Sequence, residues 1–130
     1  MKAQHASLWI FAVSLAVLAP AAAQAAGASD YYGRWSRAEC ADEWFTLAEG
    51  KVTSFNKKFA QISPRPTEVP AKITLSGERL TVEAQQKGRK PRRDIYEVEG
   101  RDVMVHQDTF VDGRRMPSIT RDHVTYKRCK

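Results

Sequence analysis

The sequence predicts an all-β domain, a small antiparallel up-and-down barrel of about eight strands that follows a cleaved signal peptide. Three observations predict it. Past Asp30 no run of 12 residues shows a clean helical period, whereas apolar and polar side chains alternate in twos. Turn signals interrupt that alternation roughly every ten residues. Of the 130 residues, 105 remain after the apolar leader, 37 apolar and 35 charged, which suits one modest core and not two. Closing a meander into a barrel removes its exposed edges; a flattened sandwich is the alternative.

Composition excludes other classes. The single apolar run is too short for a polytopic membrane protein, and two cysteines do not make a disulfide-dense scaffold. Ten aromatic residues beyond the leader argue against a wholly disordered chain.

The leader is read first. Lys2 supplies positive charge, Leu8 to Leu18 is an apolar run of 11 residues, and Ala23-Gln24-Ala25 fits a small-x-small cleavage site. Residues 1–25 are therefore assigned as a signal peptide and 26–130 as a single β-barrel domain. A spanning helix needs about 20 apolar residues, so no transmembrane segment is expected after cleavage. A retained signal anchor is the alternative. The expected location is periplasmic or secreted, and the net charge of +6 falls to +5 when Lys2 is removed.

Export governs the cysteines. Cys40 and Cys129 are the only two, and an oxidising compartment favours pairing them. The bridge would tie the first strand region to the last. Loop closure of this length is worth about 4–5 kcal/mol at most in the chain-entropy account.

The strands follow in order. Trp44 to Leu47 is closed by Glu49-Gly50, and Val52 and Phe55 precede a break at Asn56-Lys57-Lys58. Ser63-Pro64-Arg65-Pro66 and Pro70 mark an irregular connection or edge. Ile73 and Leu75 alternate before Ser76-Gly77-Glu78, and Leu80, Val82 and Ala84 alternate after it, which makes a hairpin. Tyr96 and Val98, then Val103 and Val105, flank Glu99-Gly100-Arg101 as a second. Asp112-Gly113 is a two-residue turn, and Val124, Tyr126 and Arg128 alternate in the last strand. Arg37 to Phe45 could hold one helical turn. Trp35, Trp44, Phe45, Phe55 and Phe59 crowd the first third; core packing is expected for them, an apolar groove is the alternative, and Phe59 is the one expected to be exposed.

Tyr31-Tyr32-Gly33-Arg34-Trp35 carries a Gly-x-Trp, and Tyr126-Lys127-Arg128-Cys129 ends the chain's last strand. With the alternating strands between them, these segments make the chain resemble the lipocalin-like (calycin) superfamily, and small exported bacterial proteins with Gly-x-Trp and a terminal Tyr-x-Arg-Cys. The resemblance implies that Gly33 and Trp35 begin the first strand, that Trp35 closes one barrel end, and that Arg128 packs across it. Periplasmic protease inhibitors of the same superfamily use an N-terminal tail as the inhibitory segment; here Ala26 to Asp30 is a short tail.

No catalytic residue, cofactor or metal site is assigned. His106 and His123 have no metal-ligand spacing, and there is no His-Glu-x-x-His, Cys-x-x-Cys or glycine-rich phosphate loop. His106, opposite in parity to Val103 and Val105, is expected to face solvent, and His123 to sit at a turn after Arg121-Asp122. Glu97 and Glu99 share a face turned away from Tyr96 and Val98, where nothing raises a carboxyl pKa for acid catalysis.

The basic loop is the informative feature. Lys87, Arg89, Lys90, Arg92 and Arg93 place five cations in seven positions. In a meander, alternate connections share an end, so Arg114 and Arg115 are expected to join them in a cationic rim. Such a rim concentrates anionic partners; a merely solvated loop is the bland alternative. The expected function is an exported non-enzymatic binding protein of the bacterial cell envelope, a monomer that meets an anionic envelope lipid, an acidic polysaccharide or an acidic protein. Nucleic acid is not a physiological partner outside the cell. The alternatives are a protein inhibitor of an exported hydrolase and an envelope structural factor.

Overall fold

The computed structural model of the protein describes residues 27–60, 62, 64–117 and 123–130. The expected signal peptide and the Arg121-Asp122 pair lie outside them. The chain enters through a 3-10 turn at Ala28–Tyr31 and forms β1 (Gly33–Ser36), β2 (Glu43–Ala48), β3 (Lys51–Asn56), β4 (Thr67–Ser76), β5 (Arg79–Ala84), β6 (Arg92–Glu99), β7 (Val103–Val111), β8 (Arg114–Arg115) and β9 (Thr125–Arg128). Strands β1 to β7 pair antiparallel in sequence order, β9 bridges β7 and β1, and the sheet closes. The result is an eight-stranded antiparallel barrel, with β8 as a short hairpin return on β7. Closure leaves no flat edge for another chain to extend.

Turn chemistry sets the meander. The hairpins turn at the four expected places, and Asp112 and Gly113 both take positive φ, 53° and 77°. That backbone matches the right-handed twist of the strands it joins. Arg37–Phe45 resolves into one turn, closed by the Glu43 N–H donating to the Glu39 carbonyl at 3.1 Å, followed by β2. Pro70 lies inside β4 and not in a connection. It stands where β4 passes from pairing with β3 to pairing with β5, and its carbonyl accepts from Gln85 N at 3.1 Å.

The interior is graded along the barrel. Trp35, Leu47, Leu80, Val98 and Met104 are buried toward the end where β2–β3, β4–β5 and β6–β7 turn. Toward the other end the buried side chains become polar, with Asp94, His106 and Thr109 facing in. His106 is thus buried, contrary to the solvent-facing position its parity suggested. The reason is the β6–β7 turn. Three residues, Gly100 to Asp102, pair Glu99 with Val103 and Val98 with Met104, so Val103 and Val105 take the outer face and Met104 and His106 the inner one.

The apolar end is closed by one guanidinium. Arg128 lies 4.5 Å over the Trp35 ring and donates to the carbonyls of Tyr32, Asp30 and Arg101, each at 2.7 Å. Trp35 Nε1 donates to the Tyr31 carbonyl at 2.9 Å, and Tyr31 Oη to that of Gly100 at 3.1 Å. Gly33 makes this possible. Its φ is 124°, and a Cβ there would stand 3.1 Å from Arg128 Nη1. The next residue after Arg128, Cys129, forms the disulfide with Cys40 in the β1–β2 connection.

Two stability outcomes follow. Gly33→Ala should cost about 1–3 kcal/mol, because it strains the backbone and crowds the guanidinium; urea unfolding measures it. Replacing both cysteines with serine should cost about 2–5 kcal/mol, seen as a lower midpoint in the same titration.

Candidate functional site

The open end of the barrel is framed by the connections β1–β2, β3–β4 and β5–β6 and by the β7–β8 hairpin. Beneath them lies the polar interior. Asp94 is its centre, at the same inward parity as Tyr96 and Val98 on β6. Its carboxylate accepts from Thr109 Oγ1 at 2.6 Å and from Arg92 Nε at 2.8 Å and Nη2 at 3.1 Å. His106 Nε2 stands 3.0 Å from Asp94 Oδ1 and 2.8 Å from Thr109 Oγ1. An ionised carboxylate only accepts, so Nε2 carries the proton and the Thr109 hydroxyl points its own proton at Asp94. The hydroxyl is therefore held and not activated, and Thr109 is fully buried.

A bulge assembles this cluster. Tyr96 pairs with His106 but Ile95 with Asp108, leaving Gln107 as an extra residue on β7. Without it Thr109 would face out. A bulge re-aims the side chains that follow it, and here it sets Thr109 directly opposite Asp94. Burial pushes the Asp94 carboxyl up, but the hydrogen bonds from His106, Arg92 and Thr109 and the Arg92 charge outweigh that and bring it down from 3.8 to about 2. Below the cluster, Phe45, Tyr96 and Tyr126 form an aromatic layer with ring centroids 5.0–6.0 Å apart. Burial first, and the negative Asp94 with it, raises the pKa of both tyrosines.

Above the cluster the basic loop shapes the mouth. Gln86–Arg89 forms a turn with Gly88 at φ 80°, closed by Arg89 N donating to the Gln86 carbonyl at 3.0 Å. The Asp112 N–H donates to the Pro91 carbonyl at 2.9 Å, which pins the β7–β8 hairpin beside the loop. A cavity of about 310 Å3 opens here, walled by Val69, Ala84 and Val111 and rimmed by Arg89, Lys90 and Arg92. A separate hollow, of about 370 Å3, lies on the β1–β3 side beside Phe45, Phe59 and Tyr126. A groove of about 540 Å3 runs over Lys72, Glu83 and Arg93, where charges of both signs meet.

The structure separates the seven cations of the expected rim. Arg92 turns inward to Asp94. Arg93 lies on the outer face, 4.5 Å over the Phe110 ring, and Arg115 pairs with Asp108 at 2.7 Å. Lys87, Arg89, Lys90 and Arg114 remain on the exposed rim, and none of them ion-pairs among the described residues. The aromatic group also divides. Trp35 and Phe45 face in, Trp44 and Phe55 stack on the outside at 5.8 Å with Arg34 over Trp44 at 3.8 Å, and Phe59 is 60% exposed. Among the described residues no three His, Cys, Asp or Glu side chains converge as metal ligands do, and no helix is long and apolar enough to cross a membrane. Asp94 could have been found from its parity with Tyr96 and Val98; Thr109 could not, because the bulge has no signature in the sequence.

Comparison with protein-family models, with curated proteins and with solved structures finds no match. The mouth's own side chains therefore carry the functional reading.

Asp94 has a depressed pKa, so the stability it contributes is complete above its ordinary value of 3.8 and is lost as pH falls through about 2. At neutral pH that contribution is about 2 kcal/mol. Asp94→Asn should lose at least this much at pH 7, and the gap between variant and parent should narrow between pH 4 and pH 2. Urea midpoints across that range measure it; a gap independent of pH would show that the charge of Asp94 is not what the network stabilises.

Proposed function

We propose that this chain is an exported, non-enzymatic binding module of the bacterial cell envelope, with a lipocalin-like barrel that takes an anionic ligand at its open mouth. The observation that carries the proposal is the cavity at the basic loop. Arg89 and Lys90 stand over walls made by Val69, Ala84 and Val111, and neither cation has an acidic partner among the described residues. Charge at the rim and apolar surface below it suit a ligand with an anionic head and a short apolar body. Arg92 is not counted as a binding group, since it already neutralises Asp94. The Gly33-Arg34-Trp35 strand start and the Arg128–Trp35 contact support the lipocalin-like reading. The Cys40–Cys129 bridge suits an oxidising compartment.

Calorimetric titration with monomeric dihexanoyl phosphatidic acid, against its phosphatidylcholine counterpart, tests the proposal. The anionic lipid should bind at least tenfold tighter, about 1.4 kcal/mol. The triple variant Lys87→Gln, Arg89→Gln, Lys90→Gln should remove that preference while Arg92 and Asp94 stay intact. Equal binding of both lipids, or an unchanged preference in the variant, would show that the rim is only a solvated loop.

A further inference from the structure

Cations concentrate at the open end of the barrel, where Glu39 and Asp42 of the β1–β2 connection and Asp112 of the β7–β8 hairpin offset part of them. The β3–β4 connection (57–66) and the β5–β6 connection (85–91) together hold six cations and no acid. Strands β3 and β5 run in the same direction, so both connections lie at the open end. At the closed end the turns Glu49-Gly50 and Gly77-Glu78 each hold an acid and no cation, and Gly100 to Asp102 holds one of each. Only two large apolar side chains are exposed among the described residues, Phe59 at 60% and Ile62 at 86%, and both belong to the cationic end. The Lys58 N–H donates to Asn56 Oδ1 at 2.9 Å, which fixes the 3-10 turn Lys57–Phe59 that presents Phe59. Lys57 reaches Asp42 at 3.6 Å, with both side chains exposed, and such a pair is loosely held.

We propose that this end of the barrel docks on an anionic phospholipid bilayer, with Phe59 and Ile62 entering the headgroup boundary and the cations of the two connections facing lipid phosphates. Neither feature suffices alone. Two apolar side chains insert shallowly, and surface cations act only within a screening length of about 8–10 Å at physiological salt. Stable attachment to a membrane surface takes two signals, an apolar one and a polybasic one, and the open end supplies both within one face. The closed end, with Glu49 and Glu78, would be repelled by the same surface, so the charge of the barrel also sets its orientation. Docked this way, the mouth cavity faces the lipid headgroups. The surface shares Arg89 and Lys90 with that cavity and Phe59 with the hollow beside it, but Lys57, Lys58, Phe59 and Ile62 do not line the cavity itself.

Co-sedimentation with vesicles tests this, using the protein isolated with its disulfide formed and the same preparation for every variant. Vesicles of equal phosphatidylglycerol and phosphatidylcholine should bind it, and pure phosphatidylcholine vesicles should bind at least tenfold more weakly. The double variant Phe59→Ser, Ile62→Ser should lose tenfold or more on the anionic vesicles. Lys57→Gln with Lys58→Gln should weaken binding about fivefold per cation, and raised salt should release the parent protein. Phe59, Ile62 and both lysines are exposed, so all variants should keep the parent's near-ultraviolet circular dichroism. Equal binding to neutral vesicles, or no effect of either variant, would overturn the proposal. So would retention of the protein on an acidic polysaccharide in place of the vesicles. The short-lipid titration above should be unaffected by these four substitutions: a parent protein that fails to bind anionic vesicles while that titration stays positive refutes the docking surface alone, and a parent that binds vesicles without preferring the anionic short lipid refutes the cavity alone.

Discussion

The closed end of the barrel depends on a single cation. Arg128 makes hydrogen bonds to three backbone carbonyls from two separate segments, the entry turn and the β6–β7 turn, while its face covers Trp35. Those carbonyls belong to no ladder, and burying them unpaired would cost far more than the bonds gain. A guanidinium is suited to the place because its donors are fixed in a plane and it stays charged at any pH the protein meets. The charge is not left bare: Asp102 Oδ1 lies 3.2 Å from Nε. With the entry turn, the sixth strand's exit and the last strand held at one point, the register of β9 between β7 and β1 is set. Closure of the sheet follows from that register. The disulfide one residue later fastens the same junction to the β1–β2 connection, so covalent and polar constraints act on adjacent residues.

Asp94 plays the opposite role at the other end. A buried carboxylate is costly unless it is fully bonded, and here a guanidinium, an imidazole and a hydroxyl surround it. All four members come from inward positions on two neighbouring strands, β6 and β7. The network therefore fixes the bulge at Gln107 as much as the bulge permits the network. Arg92 links it to the mouth, because its side chain is half exposed while its fork stays on Asp94. The rim cations above it are exposed and form no ion pair among the described residues, so within those residues their charge is not spent on the fold.

Much of the architecture was legible from alternation and turn residues. The hairpins at Gly77-Glu78 and Asp112-Gly113 follow from residue type and spacing, the bridge between Cys40 and Cys129 from the oxidising compartment that the leader implies, and closure from the exposed edges that an open meander would leave. What alternation could not supply was parity where both faces are apolar. Val103-Met104-Val105-His106 reads equally well either way, and only the three-residue turn before it decides that His106 faces in. A bulge is invisible for a related reason: it changes parity in the middle of a strand without any glycine or proline to mark it. The basic loop was visible as charge, but not its division. Whether an arginine beside a strand start serves the interior, the outer face or the rim depends on one residue of register, which is why Arg92 and Arg93 point to opposite sides of the sheet.

On the proposed reading, stability and recognition are separated along the barrel axis. The residues that most stabilise the fold, Gly33, Trp35, Arg128 and Cys129, gather at or near the closed end, and the disulfide ties Cys40 of the β1–β2 connection to them. The residues whose charge and exposure cost stability without serving the core, Lys58, Phe59, Ile62, Lys87, Arg89 and Lys90, gather at the open end. Like charges crowded on two neighbouring connections repel each other, and an exposed phenylalanine and isoleucine gain nothing from water. A soluble barrel built for packing alone would spread those cations over its surface and bury or replace both apolar side chains. Their concentration on one end, opposite the acidic turns, is the arrangement expected when that end meets an anionic apolar boundary and the other end faces water.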